Sequence, residues 1–153
     1  MKVGIAGLGF MGSTHLEAYQ KVEGFELAAV SSSDPKKLAG DLSEIAGNLD
    51  RGGGTYDFSS AAKYKTPEEL IDDESIEAVD LCTPTFLHTP LTLKALEAGK
   101  HVLVEKPMAL SAEDCDAMTA AAKEAGRVLM VAQVLRFWPE YAIARKLATS
   151  GDL

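Results

Sequence analysis

Two short stretches of this sequence carry residue types that chemistry can use. The first is Gly7-Leu8-Gly9-Phe10-Met11-Gly12, which directly follows the apolar run Lys2–Ala6 and leads into a helical run. In a dinucleotide site each glycine has a physical task. Gly7 permits a tight turn, Gly9 lets the backbone approach a diphosphate, and Gly12 lets helix and strand pack closely. The unsatisfied N–H groups and the positive dipole end of the helix then face the phosphates. The second stretch is Glu105-Lys106-Pro107, at the end of another apolar run. A lysine at a strand rim is costly unless it meets an anionic or polar partner. Such a lysine can orient a substrate hydroxyl and relay its proton. The plainer alternative is a surface lysine paired with Glu105.

Between these stretches lie the residues that would choose a cofactor. NAD sites place an acidic residue about 20 positions after the glycines, on the ribose 2′-hydroxyl. Here that slot reads Ser31-Ser32-Ser33, with Asp34 one place late and suited to cap a helix. Serines accept a 2′-phosphate, which carries about −1.5 to −2 charges, where a carboxylate would repel it. Lys36 or Lys37 could reach it from the next turn, although a solvated helix face explains both equally well. NADP is therefore the expected cofactor, with NAD as the alternative. Thr83-Pro84-Thr85 ends the fourth apolar run, at the edge where such sheets bind ligands. His88 follows, as a cofactor contact or as a hydrogen bonder at a helix end.

The elements that must position these residues alternate short apolar runs with longer amphipathic ones, the signature of βαβ units. Strands are predicted at Lys2–Ala6, Phe25–Val30, Ala62–Lys65, Ala78–Cys82, His101–Glu105 and Val128–Ala132. The near-continuous apolarity of most of them suits a parallel sheet covered on both faces. The expected fold class is α/β, a Rossmann doubly wound sheet of about six strands in the order 3-2-1-4-5-6. Asp34-Pro35 predicts a helix start with Leu38, Leu42 and Ile45 on one face. Thr66 to Glu69 predicts a capping box. Thr89-Pro90 and Ser111 open two further helices that Gly99 and Gly126 can end. Along the last of these, Cys115, Met118, Ala122 and Ala125 form a core-facing stripe. The glycine-rich connection from Gly47 to Ala61 is expected to be mobile. Residues 1–133 read as the dinucleotide domain, and residues 134–153 as an exit segment with a helix from about Pro139.

Composition excludes several classes. The 153 residues are 46% hydrophobic, with 15 basic side chains against 23 acidic, a balance of −8. A chain of this length buries roughly 70% of its unfolded surface in one core. Surplus negative charge argues against nucleic acid or an anionic membrane as partner. No apolar run reaches the roughly 18–20 residues of a membrane span. Glycines break the N-terminal apolar run, so it reads as strand and turn rather than as a signal peptide. Cys82 and Cys115 show no metal spacing and fit two buried free thiols in a reducing cytoplasm.

Taken together, these motifs resemble the N-terminal half of the glucose-fructose oxidoreductase / inositol dehydrogenase / MocA family. The resemblance runs through Gly7 to Gly12, Thr83-Pro84-Thr85 with His88, Ala98-Gly99-Lys100-His101-Val102, Glu105-Lys106-Pro107 and Arg136-Phe137-Trp138-Pro139. It implies that Lys106 is the catalytic or substrate-orienting lysine and that the peptide before Pro107 is cis. It implies further that Gly7, Gly9, Phe10, Met11 and Gly12 hold the pyrophosphate, and Ser32, Ser33 and Lys37 the adenosine ribose and its phosphate. Thr83, Pro84, His88 and Glu105 would lie along the nicotinamide side, with Gln133 and Arg136 flanking the site. The implied reaction is hydride transfer between nicotinamide and a sugar, inositol or related polyol. Relatives continue into a C-terminal substrate domain, so these 153 residues are expected to bind cofactor without useful turnover. Pairing of two copies through the bare substrate-facing surface is a further expectation. The competing readings are a non-enzymatic NAD(P) sensor and a methyltransferase-like S-adenosylmethionine site, which would leave Glu105-Lys106-Pro107 without a purpose.

Overall fold

The computed structural model describes residues 1–45 and 53–151. Six strands form one wholly parallel sheet: β1 (Lys2–Ala6), β2 (Glu26–Ser31), β3 (Ala62–Tyr64), β4 (Ala78–Leu81), β5 (His101–Val104) and β6 (Leu129–Val131). Their spatial order is β3-β2-β1-β4-β5-β6, as the sequence predicts. The chain leaves β1 in one direction and β4 in the other, which opens a cleft at the carboxyl edge between them.

Alternation along the strands feeds two cores. From β1, Ala6 packs with Leu70, Leu81, Leu96 and Met118 on one face, under α3 (Pro67–Ile71), α4 (His88–Glu97) and α5 (Ala112–Ala125). Its neighbour Ile5 packs with Leu16, Val30, Leu42 and Phe58 on the other, under α1 (Phe10–Tyr19). Both faces of β1 are therefore dry, and each such aliphatic side chain stabilises the fold by roughly 1.5–3 kcal/mol.

Helix ends follow their cap chemistry in most places. Asp34 accepts the Lys36 N–H at 2.9 Å, and Ser111 accepts that of Asp114 at 3.1 Å. Thr66 and Glu69 complete the capping box. Three expectations fail. The helix after Asp34, α2, spans only Pro35–Leu38, because Gly40 takes φ +99° with its Cα against the Tyr56 carbonyl. Leu42 is nevertheless buried and Ile45 packs beside it, from irregular chain. Thr89 is not a cap: a 3-10 turn over Thr85–Leu87 runs directly into α4. On α5, Met118 and Ala122 are buried and Cys115 half-buried, but Ala125 is exposed because the helix runs past the edge of its packing partners.

The glycine-rich connection is also better held than expected, where it is described. Thr55 bridges Asp41, Phe58 is 2% exposed, and Tyr56 donates to the Ser13 carbonyl at 3.4 Å. Residues 47–52 of that connection lie outside the described residues. Cys82 and Cys115 are both free, and both are half-buried rather than fully buried. The exit segment forms a 3-10 turn, Val134–Phe137, and then α6 (Pro139–Ser150), in which no residue is buried. Among the described residues no helix is long and apolar enough to cross a membrane.

Candidate active site

Parallel strands deliver their C-terminal residues to one edge, so the loops after β1, β2, β4, β5 and β6 meet there. The glycine loop forms its floor. Gly7 turns at φ +100°, and a Cβ on it would lie 2.6 Å from the Cys82 carbonyl oxygen. A Cβ on Gly12 would collide with the Gly7 carbonyl, so α1 sits directly on the turn. Around Gly9 a Cβ would meet nothing within 4 Å. The first two glycines named are thus required by packing, whereas no protein atom crowds the third, which leaves open space in front of α1. Gly9 caps α1 with no side chain, and no acid stands in the first turn. The N–H groups of that turn have no intrahelical acceptors, and they belong to Phe10, Met11 and Gly12. An anion fits here by both shape and charge.

Beside the loop lies a cleft of about 320 Å³ lined by Gly7, Ser31, Ser32, Ser33, Lys65 and Thr83 among others. Ser31 is 1% exposed, and neither its Oγ nor the Thr83 Oγ1 has a partner among the described residues. Two buried hydroxyls with spare hydrogen-bonding capacity beside a cleft suit a polar ligand such as a ribose. Ser32 accepts the Asp34 N–H at 3.2 Å, and its own N–H donates to the Tyr64 carbonyl, which fixes the turn. Lys37 does not line this cleft; with Lys36 it borders a separate shallow depression near Asp41 and Glu44. Lys65, at the end of β3, does line it, and sequence reasoning passed it over. Its signal was position alone: the strand that pairs with β2 must end beside the serines.

After β4, Pro84 is extended and Thr85 begins the 3-10 turn. His88 is 1% exposed, with Nδ1 2.9 Å from the Pro107 carbonyl and Nε2 2.9 Å from the Thr83 carbonyl. It therefore braces the two loops that flank the cleft. The Lys106–Pro107 peptide is cis. Lys106 is exposed, and none of the ion pairs among the described residues involves its ammonium. Its backbone N–H donates to Glu105 Oε2 at 2.9 Å. Glu105 is buried and turned inward, with Oε1 3.2 Å from His15 Nε2. Gln133 and Arg136 are exposed where the chain leaves β6.

Beneath the loops His15, Asp80 and Cys82 converge, with ligand-type atoms within 4.8 Å of one another. No spacing in the sequence pointed to this cluster. The imidazole donates to Asp80 at 2.8 Å, and the Cys82 thiol donates to Asp80 at 3.5 Å. Burial pushes the Cys82 thiol up to about 12, which keeps it an unreactive thiol.

Comparison with known proteins agrees with this geometry. Residues 1–133 match the profile of GFO_IDH_MocA, described as an oxidoreductase family with an NAD-binding Rossmann fold, and the chain belongs to that family. It is 36% identical, over its whole length, to levoglucosan dehydrogenase of Pseudarthrobacter phenanthrenivorans, of which it spans 38%. It is 30% identical over its whole length to scyllo-inositol 2-dehydrogenase (NADP(+)) of Bacillus subtilis, again spanning 38%. Among solved structures, scyllo-inositol dehydrogenase from Lactobacillus casei, with bound NAD(H) and scyllo-inositol, superposes with a TM-score of 0.80 at 25% identity. That match covers 99% of this chain and 42% of the other. The chain thus spans about two-fifths of the relatives it matches. Those relatives include users of both NAD and NADP.

Proposed function

We propose that this chain is the NAD(P)-binding domain of an oxidoreductase that moves a hydride between a nicotinamide cofactor and a carbinol carbon of a sugar, inositol or related polyol. The observation that carries the reading is the bare N-terminus of α1 behind Gly7 and Gly9. When bound, the nicotinamide supplies the hydride acceptor or donor. The chain's own residues do the rest. The Phe10, Met11 and Gly12 amides hold the diphosphate, while Ser31 and Ser32 offer hydroxyls to the adenosine ribose. Thr83 lines the same cleft, so it joins them there rather than lying along the nicotinamide side. Residues 1–133 form this unit. The exposed Phe137, Trp138, Tyr141 and Ile143 of residues 134–153 would pack on a further, substrate-bearing domain.

Lys106 holds a substrate hydroxyl at its ammonium and takes up or returns its proton. Water must also be kept from the transferring hydride, and among the described residues Lys106, Gln133 and Arg136 stand exposed at this edge. We therefore expect cofactor binding, without useful turnover, from these 153 residues. The serine slot favours NADP over NAD, and Lys65, which lines the cleft, would meet a 2′-phosphate in preference to Lys37. Two free thiols suit a reducing compartment such as the cytoplasm.

Calorimetric titration of the chain with NADPH, NADH and S-adenosylmethionine tests the reading. It predicts saturable one-to-one binding of a nicotinamide dinucleotide, tighter for NADPH. Binding of S-adenosylmethionine alone would overturn it.

A further inference from the structure

One buried charged group beneath the cleft has no part in the chemistry proposed above. His15 lies on α1 and reaches two strands at once. Its Nδ1 is 2.8 Å from Asp80 Oδ2 on β4, and its Nε2 is 3.2 Å from Glu105 Oε1 just after β5. Asp80 is 0% exposed and Glu105 is 5% exposed. An ionised carboxylate can only accept, so both ring nitrogens must donate and the ring carries both protons. The remaining groups that face it are Cys82, 3.4 Å from Nδ1, and Tyr19, which lies beside Asp80 on the same helix as His15. Neither brings a positive charge. The ring therefore offsets one of the two buried carboxylate charges and donates a hydrogen bond to each, which eases their burial.

What Glu105 does with its second oxygen gives the ring a further consequence. Oε2 accepts the backbone N–H of Lys106 at 2.9 Å. Both oxygens of one carboxylate are thus committed, the first to α1 and the second to the residue that bears the ammonium. We propose that His15 is a positioning residue: by fixing Glu105 it sets the backbone of Lys106, and so the place of that ammonium relative to the helix that carries the diphosphate loop. This rests on the reading of Lys106 as the group that meets substrate. A ring that only glued the sheet together would have no selective effect at Lys106.

Nitrogen-15 NMR of the chain separates the two roles. With the wild type near pH 8.5, both His15 ring nitrogens are expected to give protonated, imidazolium-type signals. His15→Asn keeps a donor where Nδ1 stood and loses the one that reached Glu105. The Lys106 amide should then shift and exchange with solvent roughly tenfold faster or more, as for loss of a hydrogen bond to a charged group. Glu105→Gln should act at the same amide, and His15→Gln, with a donor near the place of Nε2, should recover most of the protection. Amides of Val79 and Val102 in the sheet should hardly change in any variant. A neutral ring at pH 8.5, or a Lys106 amide indifferent to His15→Asn, overturns the proposal. Should the His15 variants not fold, the wild-type ring signals and Glu105→Gln decide it, because an unchanged Lys106 amide in Glu105→Gln is equally fatal. Failure of the Lys106 reading looks different: Lys106→Ala would leave turnover of the whole enzyme intact while the coupling of His15 to the residue-106 amide persisted.

Discussion

His15 Nδ1 stands 2.8 Å from Asp80 Oδ2, so the helix that begins at the glycine loop is pinned to the middle of the sheet through a wholly buried acid. Burial opposes charge on the imidazole, but Asp80, Cys82 and Glu105 outweigh it and hold the ring at about 12. A group raised in this way contributes stability that is complete below its unfolded value of 6.5 and is lost as pH climbs toward the folded value. Cys82, raised from 9.0 by burial, adds to the loss only at higher pH.

The chain should therefore lose stability steadily from about pH 6.5 to 9, with His15 as the source. On the acid side, burial alone would raise Glu105, but His15 and the Lys106 N–H hold it below its ordinary 4.5. Its contribution disappears as pH falls through that region. Urea midpoints across this range are the measurement. His15→Leu should abolish the alkaline decline and lower the midpoint throughout, since breaking a buried pair costs about 3–5 kcal/mol. Equal declines in the two proteins would refute the assignment.

Gly12→Ala should be a stability variant first and a binding variant second. Its Cβ would meet the Gly7 carbonyl, which is backbone and cannot swing aside. Overpacking of this kind costs about 1–3 kcal/mol. Thermal melts of the unliganded chain should show the drop before any cofactor is added.

Cofactor choice is expected to follow the serines and Lys65. Ser32→Asp brings a carboxylate to the cleft and should shift preference toward NADH. Lys65→Ala should weaken NADPH and leave NADH nearly unchanged, whereas Lys37→Ala should do little to either. Paired titrations with both cofactors measure this. An effect at Lys37 alone would return the 2′-phosphate to the helix face.

For Lys106→Ala in the whole enzyme, turnover should fall by about 100-fold or more, as for loss of a group that handles a proton, while NADPH affinity stays nearly constant. Steady-state rates alongside cofactor titration check both halves. Unchanged turnover would favour the sensor reading.

Much of this was legible in the sequence, for identifiable reasons. Buried parallel strands must be apolar on both faces, so the four central ones appeared as runs, while the edge strands β3 and β6 contain no buried residue. Cap residues such as Thr66 and Ser111 announced their helices. The longer helix expected after Asp34 shows where periodicity misleads. Leu38, Leu42 and Ile45 do face the core, but irregular chain after Gly40 delivers two of them there. His15 and Asp80 went unread because 65 positions separate them. A clue existed: Asp80 interrupts an apolar strand, and a buried carboxylate needs a partner. The cleft role of Lys65 was hidden in the same way, since only the pairing of β3 with β2 brings it to the serines.

The central claim is that amides exposed at the Gly9 end of α1 hold the cofactor's diphosphate. Gly9→Ala isolates it, because the added methyl meets no protein atom within 4 Å and the backbone there, at φ −91° and ψ −164°, suits any residue. Calorimetric NADPH affinity, measured beside a thermal melt, should fall at least about tenfold, or 1.4 kcal/mol, while stability changes by no more than about 1 kcal/mol. Unaltered affinity in a well-folded Gly9→Ala chain would contradict the account.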